Sequence, residues 1–195
     1  MIEPKAFIFI GRSGCGKGTQ ADLLIKKLKE IDPTRDVLYI QTGQEFRKFI
    51  KGTSVTAQKS NELYVTDRIQ PDFLAIRMWV DILTENYKGN EHLIFDGTPR
   101  RLHEALVVDS VFDFYGFEKP VVIDININPD EALKRMLIRK RQDDKPEDIK
   151  KRLAWFEDEV NPTIDWYRTN PKYSFNEING ERSIEEIHAD IIKKL

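Results

Sequence analysis

The chain has 195 residues, 40% of them hydrophobic and 33% charged, with a formal net charge of −2. That composition is too apolar for an extended disordered chain and too charged for a membrane protein, and its near-neutrality gives no global attraction to a nucleic-acid backbone. The length suits one compact domain, residues 1–195, built around a continuous core.

A single cysteine, Cys15, excludes an intramolecular disulfide, and His92, His103 and His188 are too scattered to have metal-ligand spacing. Pro4, Lys5 and Gly11 interrupt any apolar stretch of the signal-peptide kind. The longest apolar runs, residues 6–10 and 120–123, fall well short of the ~20 residues that cross a bilayer. A cytoplasmic monomer is expected, with small-molecule partners and neither nucleic acid nor membrane among them. One segment departs from the balanced charge: residues 134–152 carry nine Lys or Arg against four Asp or Glu.

The first predicted element is a buried parallel strand over residues 6–10, aromatic and β-branched, stopping at Gly11. From 17 to 30 the apolar residues Ala21, Leu24, Ile25 and Leu28 recur at helical spacing. Residues 37–41 read as a second strand, followed by helical stretches at 44–50, 55–65 and 72–87. A third strand is expected at 93–96, a helix at 102–114 and a fourth strand at 121–126. Residues 130–141 and 146–168 read as helices with a break near Asp143 and Asp144, followed by a fifth strand at 173–178 and a closing helix from Ser183. Strands alternating with helices predict a parallel sheet covered on both faces, connected by right-handed crossovers.

The run from Gly11 to Lys17 fits G-x-x-x-x-G-K, with a strand before it and a helix after it. Glycines let the backbone aim its N–H groups at phosphate oxygens, and the helix start adds partial positive charge. Gly11, Arg12, Ser13, Gly14, Cys15, Gly16, Lys17, Gly18 and Thr19 are therefore expected to hold ATP, with Lys17 against the β- and γ-phosphates. The residue after the lysine is Gly18, and the hydroxyl comes one later, at Thr19. A glycine-rich turn with a helix-opening lysine is the plain structural alternative.

Gly16-Lys-Gly-Thr-Gln20 resembles the phosphate loop of the adenylate kinase family of P-loop nucleoside monophosphate kinases, which usually has proline where this chain has Ser13. The resemblance implies an α/β P-loop NTPase-type three-layer fold, in which a five-stranded parallel sheet flanked by helices carries an inserted helical acceptor segment. Thr42-Gly-Gln-Glu-Phe-Arg47 resembles the family's Thr-Gly-x-x-x-Arg, and Asp96-Gly-Thr-Pro-Arg100 its Asp-Gly-x-Pro-Arg. The likeness assigns Thr42, Gly43, Arg47, Gln70, Gly97, Arg100 and Glu104 to the monophosphate, and Asp96, through water, to Mg2+. Ile69-Gln-Pro71 resembles the step lining the acceptor base, so residues 42–72 form the insert. Arg135, Arg139, Arg141 and Arg152 follow the donor-side arginines and, with Lys17 and Arg100, make the catalytic set; Arg135 would also lie near the ATP base. Only Lys140 separates Arg139 from Arg141, so residues 139–143 look like a vestigial lid.

Position 104 departs from the pattern. Adenylate-specific members carry Gln there; an ionised Glu only accepts hydrogen bonds, which suits adenine N6 but repels N1, while guanine offers two donors. Glu104 could instead turn outward on its helix. The expected reaction is ATP + AMP to 2 ADP, with GMP or another (deoxy)nucleoside monophosphate as the alternative acceptor. Small-metabolite kinases share a similar loop but lack the two arginine segments. A decayed ATP-binding module would be expected to have lost Lys17 or the arginines, all of which are present.

Overall fold

The computed structural model describes residues 3–139 and 146–194. In chain order the elements are β1 (Ala6–Ile10), α1 (Lys17–Ile31), β2 (Val37–Gln41), α2 (Thr42–Phe49), α3 (Val55–Val65), α4 (Asp72–Asn86) and β3 (His92–Asp96). They continue with α5 (Leu102–Tyr115), β4 (Val121–Asn126), α6 (Pro129–Arg139), α7 (Pro146–Trp155), a π-helical turn (Phe156–Val160), α8 (Asn161–Thr169), β5 (Ser174–Asn179) and α9 (Ile184–Ile192).

The five strands pair in parallel in the order β2-β3-β1-β4-β5. Alternation along β1 explains the two helical layers, because successive side chains of a strand point to opposite faces. Ile8 and Ile10 pack with Trp79 of α4, Phe112 of α5 and Tyr167 of α8. Phe7 and Phe9 pack with Leu24 of α1, Met136 of α6 and Ile191 of α9. Burying each such side chain contributes about 1.5–3 kcal/mol, so this double-sided core sets the layering. After β1 the chain moves to β2 and β3 on one side and then crosses to β4 on the other. The carboxyl ends of β1, β3 and β4 thus open onto a switch-point crevice, where ligands of parallel sheets bind.

A third, smaller cluster of Phe46, Leu74, Ala75 and Met78 joins α2 to α4 and anchors the segment between β2 and α4 at the edge of that crevice.

Two differences from expectation go beyond a one-residue shift among the described residues. The helix expected from 44 begins at Thr42, directly off β2, so Thr42 and Gly43 lie in its first turn. The helix expected over 146–168 is interrupted by the π-helical turn at Phe156–Val160 and restarts at Asn161. Pro162 accounts for the break: it has no N–H to donate, and its ring displaces the carbonyl one turn back, which the wider π turn accommodates. The expected helical break at Asp143 and Asp144, together with Lys140, Arg141 and most of the vestigial lid, lies outside the described residues.

Candidate active site

The switch-point crevice is a cleft of about 620 Å³, within the size range of small-molecule sites. One wall is the loop from β1 to α1. Gly11, Gly14 and Gly16 all have positive φ there (133°, 87° and 101°), backbone that a side chain would strain. At Gly14 a Cβ would also press on the Ala132 carbonyl oxygen at 3.0 Å, so glycine lets α6 close against the loop. Lys17 opens α1 and folds back over the loop, its Nζ donating to the carbonyls of Gly11 (2.7 Å) and Arg12 (3.0 Å).

Ser13 through Thr19 line the cleft, but Gly11 and Arg12 do not. The Arg12 side chain, expected at ATP, turns the other way. Its Nη1 donates to the Ile127 carbonyl (3.1 Å) and to Asn126 Oδ1 (3.3 Å), its Nη2 pairs with Glu157, and its guanidinium lies 4.6 Å from the Phe156 ring centre. Arg12 thus ties the loop to the π-helical turn, and its guanidinium is committed there rather than to phosphate.

Beside Arg12 a second cavity of about 240 Å³ is bordered by Asp124, a buried β4 carboxyl. Its pKa is pushed up to about 6, first by burial and then by Glu177, against Arg168, Lys17 and Arg12. A carboxyl whose folded pKa exceeds its unfolded value stabilises the fold fully while protonated, below 3.8; that contribution is lost as pH rises through about 6. Asp124→Asn is therefore expected to match the parent near pH 4 and to be more stable near pH 8 by about 1–3 kcal/mol. Urea unfolding at both pH values checks this; a variant no more stable than the parent at the higher pH would mean that Arg12 and Arg168 fully compensate the ionised carboxylate.

Opposite the loop, Asp96 ends β3. Its Oδ2 accepts from the Tyr39 hydroxyl (2.8 Å) and, at 3.5 Å, from Gln41 Nε2. Burial, with Asp96 alongside, pushes the Tyr39 phenol up, so it remains the donor. A Cβ on Gly18 would lie 3.6 Å from Asp96 Oδ2, an ordinary contact, so sterics do not demand glycine at 18. Its absent side chain leaves space between the loop and this carboxylate. One carboxylate facing open space suits Mg2+, which keeps most of its waters and needs few protein ligands. Among the described residues no group of three or more His, Cys, Asp or Glu could hold a metal directly.

In the same cleft the Thr42 hydroxyl is buried and has no hydrogen-bond partner among the described residues. Gly43, Arg47, Gln70, Gly97, Arg100 and Glu104 line the same cleft, as do Arg135, Arg139 and Arg152. Arg100 Nε donates to the Gly97 carbonyl (3.1 Å), and its guanidinium lies 5.5 Å from the Trp155 ring centre. Arg135 pairs with Glu131 on its own helix at 2.7 Å. Arg141 lies outside the described residues.

Two of these side chains are held by neighbours of their own chain. The Gln70 amide is engaged by Ser60, accepting from its hydroxyl (2.8 Å) and donating to its carbonyl (3.0 Å), so it pins the α3–α4 loop while the residue lines the cleft. Glu104 does not turn to solvent: it is 3% exposed. Its Oε2 accepts from the Thr98 hydroxyl (2.7 Å), and Oε1 faces the N–H groups of Arg100 and Arg101 at 3.4 Å, at the start of α5. Burial raises its pKa, opposed by these hydrogen bonds and by Arg100. Sequence reasoning missed Tyr64, Asp67, Arg68, Trp155 and Arg182, which also line the cleft; none belongs to a motif segment.

A phosphate loop at one wall and arginines on the facing wall, at the switch point of a parallel sheet, define a P-loop phosphotransferase. The family model described as adenylate kinase matches residues 9–172. The chain is 30% identical to adenylate kinase of Bacteroides thetaiotaomicron over 188 residues, covering 94% of each chain. It is also 30% identical to that of Phocaeicola vulgatus over 189 residues, 95% of each, and to that of Leptospira biflexa over 195 residues, 98% of this chain and all of the relative. The chain belongs to the adenylate kinase family of phosphotransferases. No helix among the described residues is long and apolar enough to cross a membrane.

Proposed function

We propose that this cleft transfers the γ-phosphoryl group of ATP to AMP, forming two ADP, as a monomer in the cytoplasm. The observation that carries the reading is one cleft that joins the Lys17 loop to the arginine pair Arg47 and Arg100 and to the Thr42 hydroxyl, which has no partner among the described residues. The donor triphosphate lies on residues 13–19, with the loop N–H groups and Lys17 on its β- and γ-oxygens and Arg135 near its base. Arg47 and Arg100 hold the AMP phosphate in line. One AMP phosphate oxygen attacks the γ-phosphorus, the bond from that phosphorus to the β–γ bridging oxygen breaks, and ADP leaves from the donor side. The transferring group spreads negative charge over its oxygens, and Lys17, Arg100, Arg139, Arg141 and Arg152 meet it with fixed positive charge. Asp96 would hold Mg2+ through water, and the ion would supply further charge neutralisation on the phosphates.

Residues 42–72 serve as the acceptor insert and 139–143 as the residual lid. Thr42 offers its hydroxyl to the adenine side. A coupled assay with ATP·Mg against AMP, GMP, CMP and UMP tests the reading, and absence of turnover with AMP would overturn it.

The base preference should respond to position 104. With its carbonyl oxygen kept on the N–H groups at the start of α5, a Gln at 104 would direct its NH2 to the Thr98 side, where it can donate to the Thr98 hydroxyl and to adenine N1, so Glu104→Gln is expected to raise kcat/KM for AMP relative to GMP about 10-fold. An unchanged ratio would leave Glu104 only its role at the start of α5.

A further inference from the structure

Asp67 sits in the turn between α3 and α4 with φ of 50°, the one non-glycine residue at positive φ among the described residues. Aspartate tolerates this conformation better than most side chains, but at a cost that surrounding contacts must offset. The contacts are on α7. Asp67 Oδ1 accepts from Arg152 Nε at 3.0 Å and from Arg152 Nη2, and the Asp67 carbonyl accepts from Trp155 Nε1 at 3.0 Å. Both charged side chains are about nine-tenths buried, at 10% and 9% exposure. Trp155 in turn lies beneath the Arg100 guanidinium. A carboxylate thus stands within the row of cations that face the cleft, reaching across 85 positions of sequence from the acceptor insert to α7.

We propose that the Asp67 carboxylate competes with nucleotide phosphate for the Arg152 guanidinium. Carboxylate and phosphate oxygens engage guanidinium through the same charge-assisted geometry, and in a shielded cleft that bond is strong for either anion. A phosphate reaching Arg152 must displace Asp67 from the Nε–Nη2 edge or share the guanidinium with it while repelled by its charge. Asp67 therefore lowers the affinity of the cleft for polyphosphates and speeds their release. It acts through Arg152 and is a positioning residue, not a catalytic one. The inference rests on the proposed assignment of Arg152 to phosphate.

Asp67→Asn keeps the size of the side chain and tolerates positive φ, and Asp67→Gly removes the backbone cost altogether, so one of the two retains the fold. Titration calorimetry with inorganic tripolyphosphate and with ATP·Mg is expected to show about 3–10-fold tighter binding in either variant. In the coupled assay kcat is expected to fall together with KM, because product leaves more slowly. In an Arg152→Met background, removing the Asp67 charge should no longer tighten binding. Unchanged or weaker binding in the Asp67 variants would overturn the proposal, as would an equal gain with and without Arg152, which would mark a general charge effect. Tripolyphosphate binding needs no turnover, so failure of the native chain to phosphorylate AMP would refute the proposed reaction separately.

Discussion

Lys17→Ala is expected to lower kcat by about 10²–10³-fold, the scale on which one preorganised charge contact to a developing anion acts. The fold should persist. Lys17 stands at the first turn of α1, and its ammonium is held by the carbonyls of Gly11 and Arg12, which the loop's three positive-φ glycines orient. Those carbonyls can turn to water when the ammonium is gone, so the loss of stability should be about 1 kcal/mol or less. With a triphosphate in the loop the same ammonium is expected to leave its own backbone for the β- and γ-oxygens, where it would affect the rate. Lys17→Arg is not expected to restore activity, because a planar guanidinium does not fit where a compact ammonium sits inside the loop. The coupled assay, alongside urea unfolding, separates the two effects; a folded Lys17→Ala chain working within tenfold of the native rate would remove Lys17 from the phosphate site.

What the sequence made legible follows from how tightly each feature constrains residue type. The strand at Ala6–Ile10 and the glycine loop were readable because a buried strand needs apolar residues on both faces, and the loop needs φ values that favour glycine. The five strands and their parallel pairing followed from alternation of strand and helix. Side-chain direction was not readable where a distant partner decides it. Arg12 turns from the cleft because Glu157, 145 positions later, and Phe156 lie behind the loop. Gln70 is held by Ser60, and Glu104 by Thr98 and the start of α5; in each case a neighbouring hydroxyl engages the polar end. Asp67 carried no signal, since an aspartate in a turn is ordinary until the fold brings Arg152 to it.

The cation that should matter most on the acceptor side is Arg100. Burial pulls its pKa down, Glu104 pulls it up, Arg152 down and Asp96 up; guanidinium remains charged through such shifts. Its geometry is fixed twice, by the bond from Nε to the Gly97 carbonyl and by the Trp155 ring beneath it, so the remaining N–H groups form a pre-aimed fork. Arg100→Ala is expected to lower kcat/KM for AMP by about 10²–10³-fold. A phosphate that loses this fork is bound less well and aligned less well, so KM for AMP should rise while kcat falls, with KM for ATP little changed. Stability should fall, because relief of one poorly solvated charge is set against lost packing and against a buried Glu104 carboxylate deprived of its nearby cation. Arg100→Lys keeps the charge but loses both the fork and the flat stacking face, and should recover only a small part of the loss. Free guanidinium at low millimolar concentration, able to lie over Trp155 in the space the alanine leaves, should restore part of the activity of Arg100→Ala and none of that of Lys17→Ala. Near-native turnover by folded Arg100→Ala, with no response to guanidinium, would mean that the acceptor phosphate is held without Arg100.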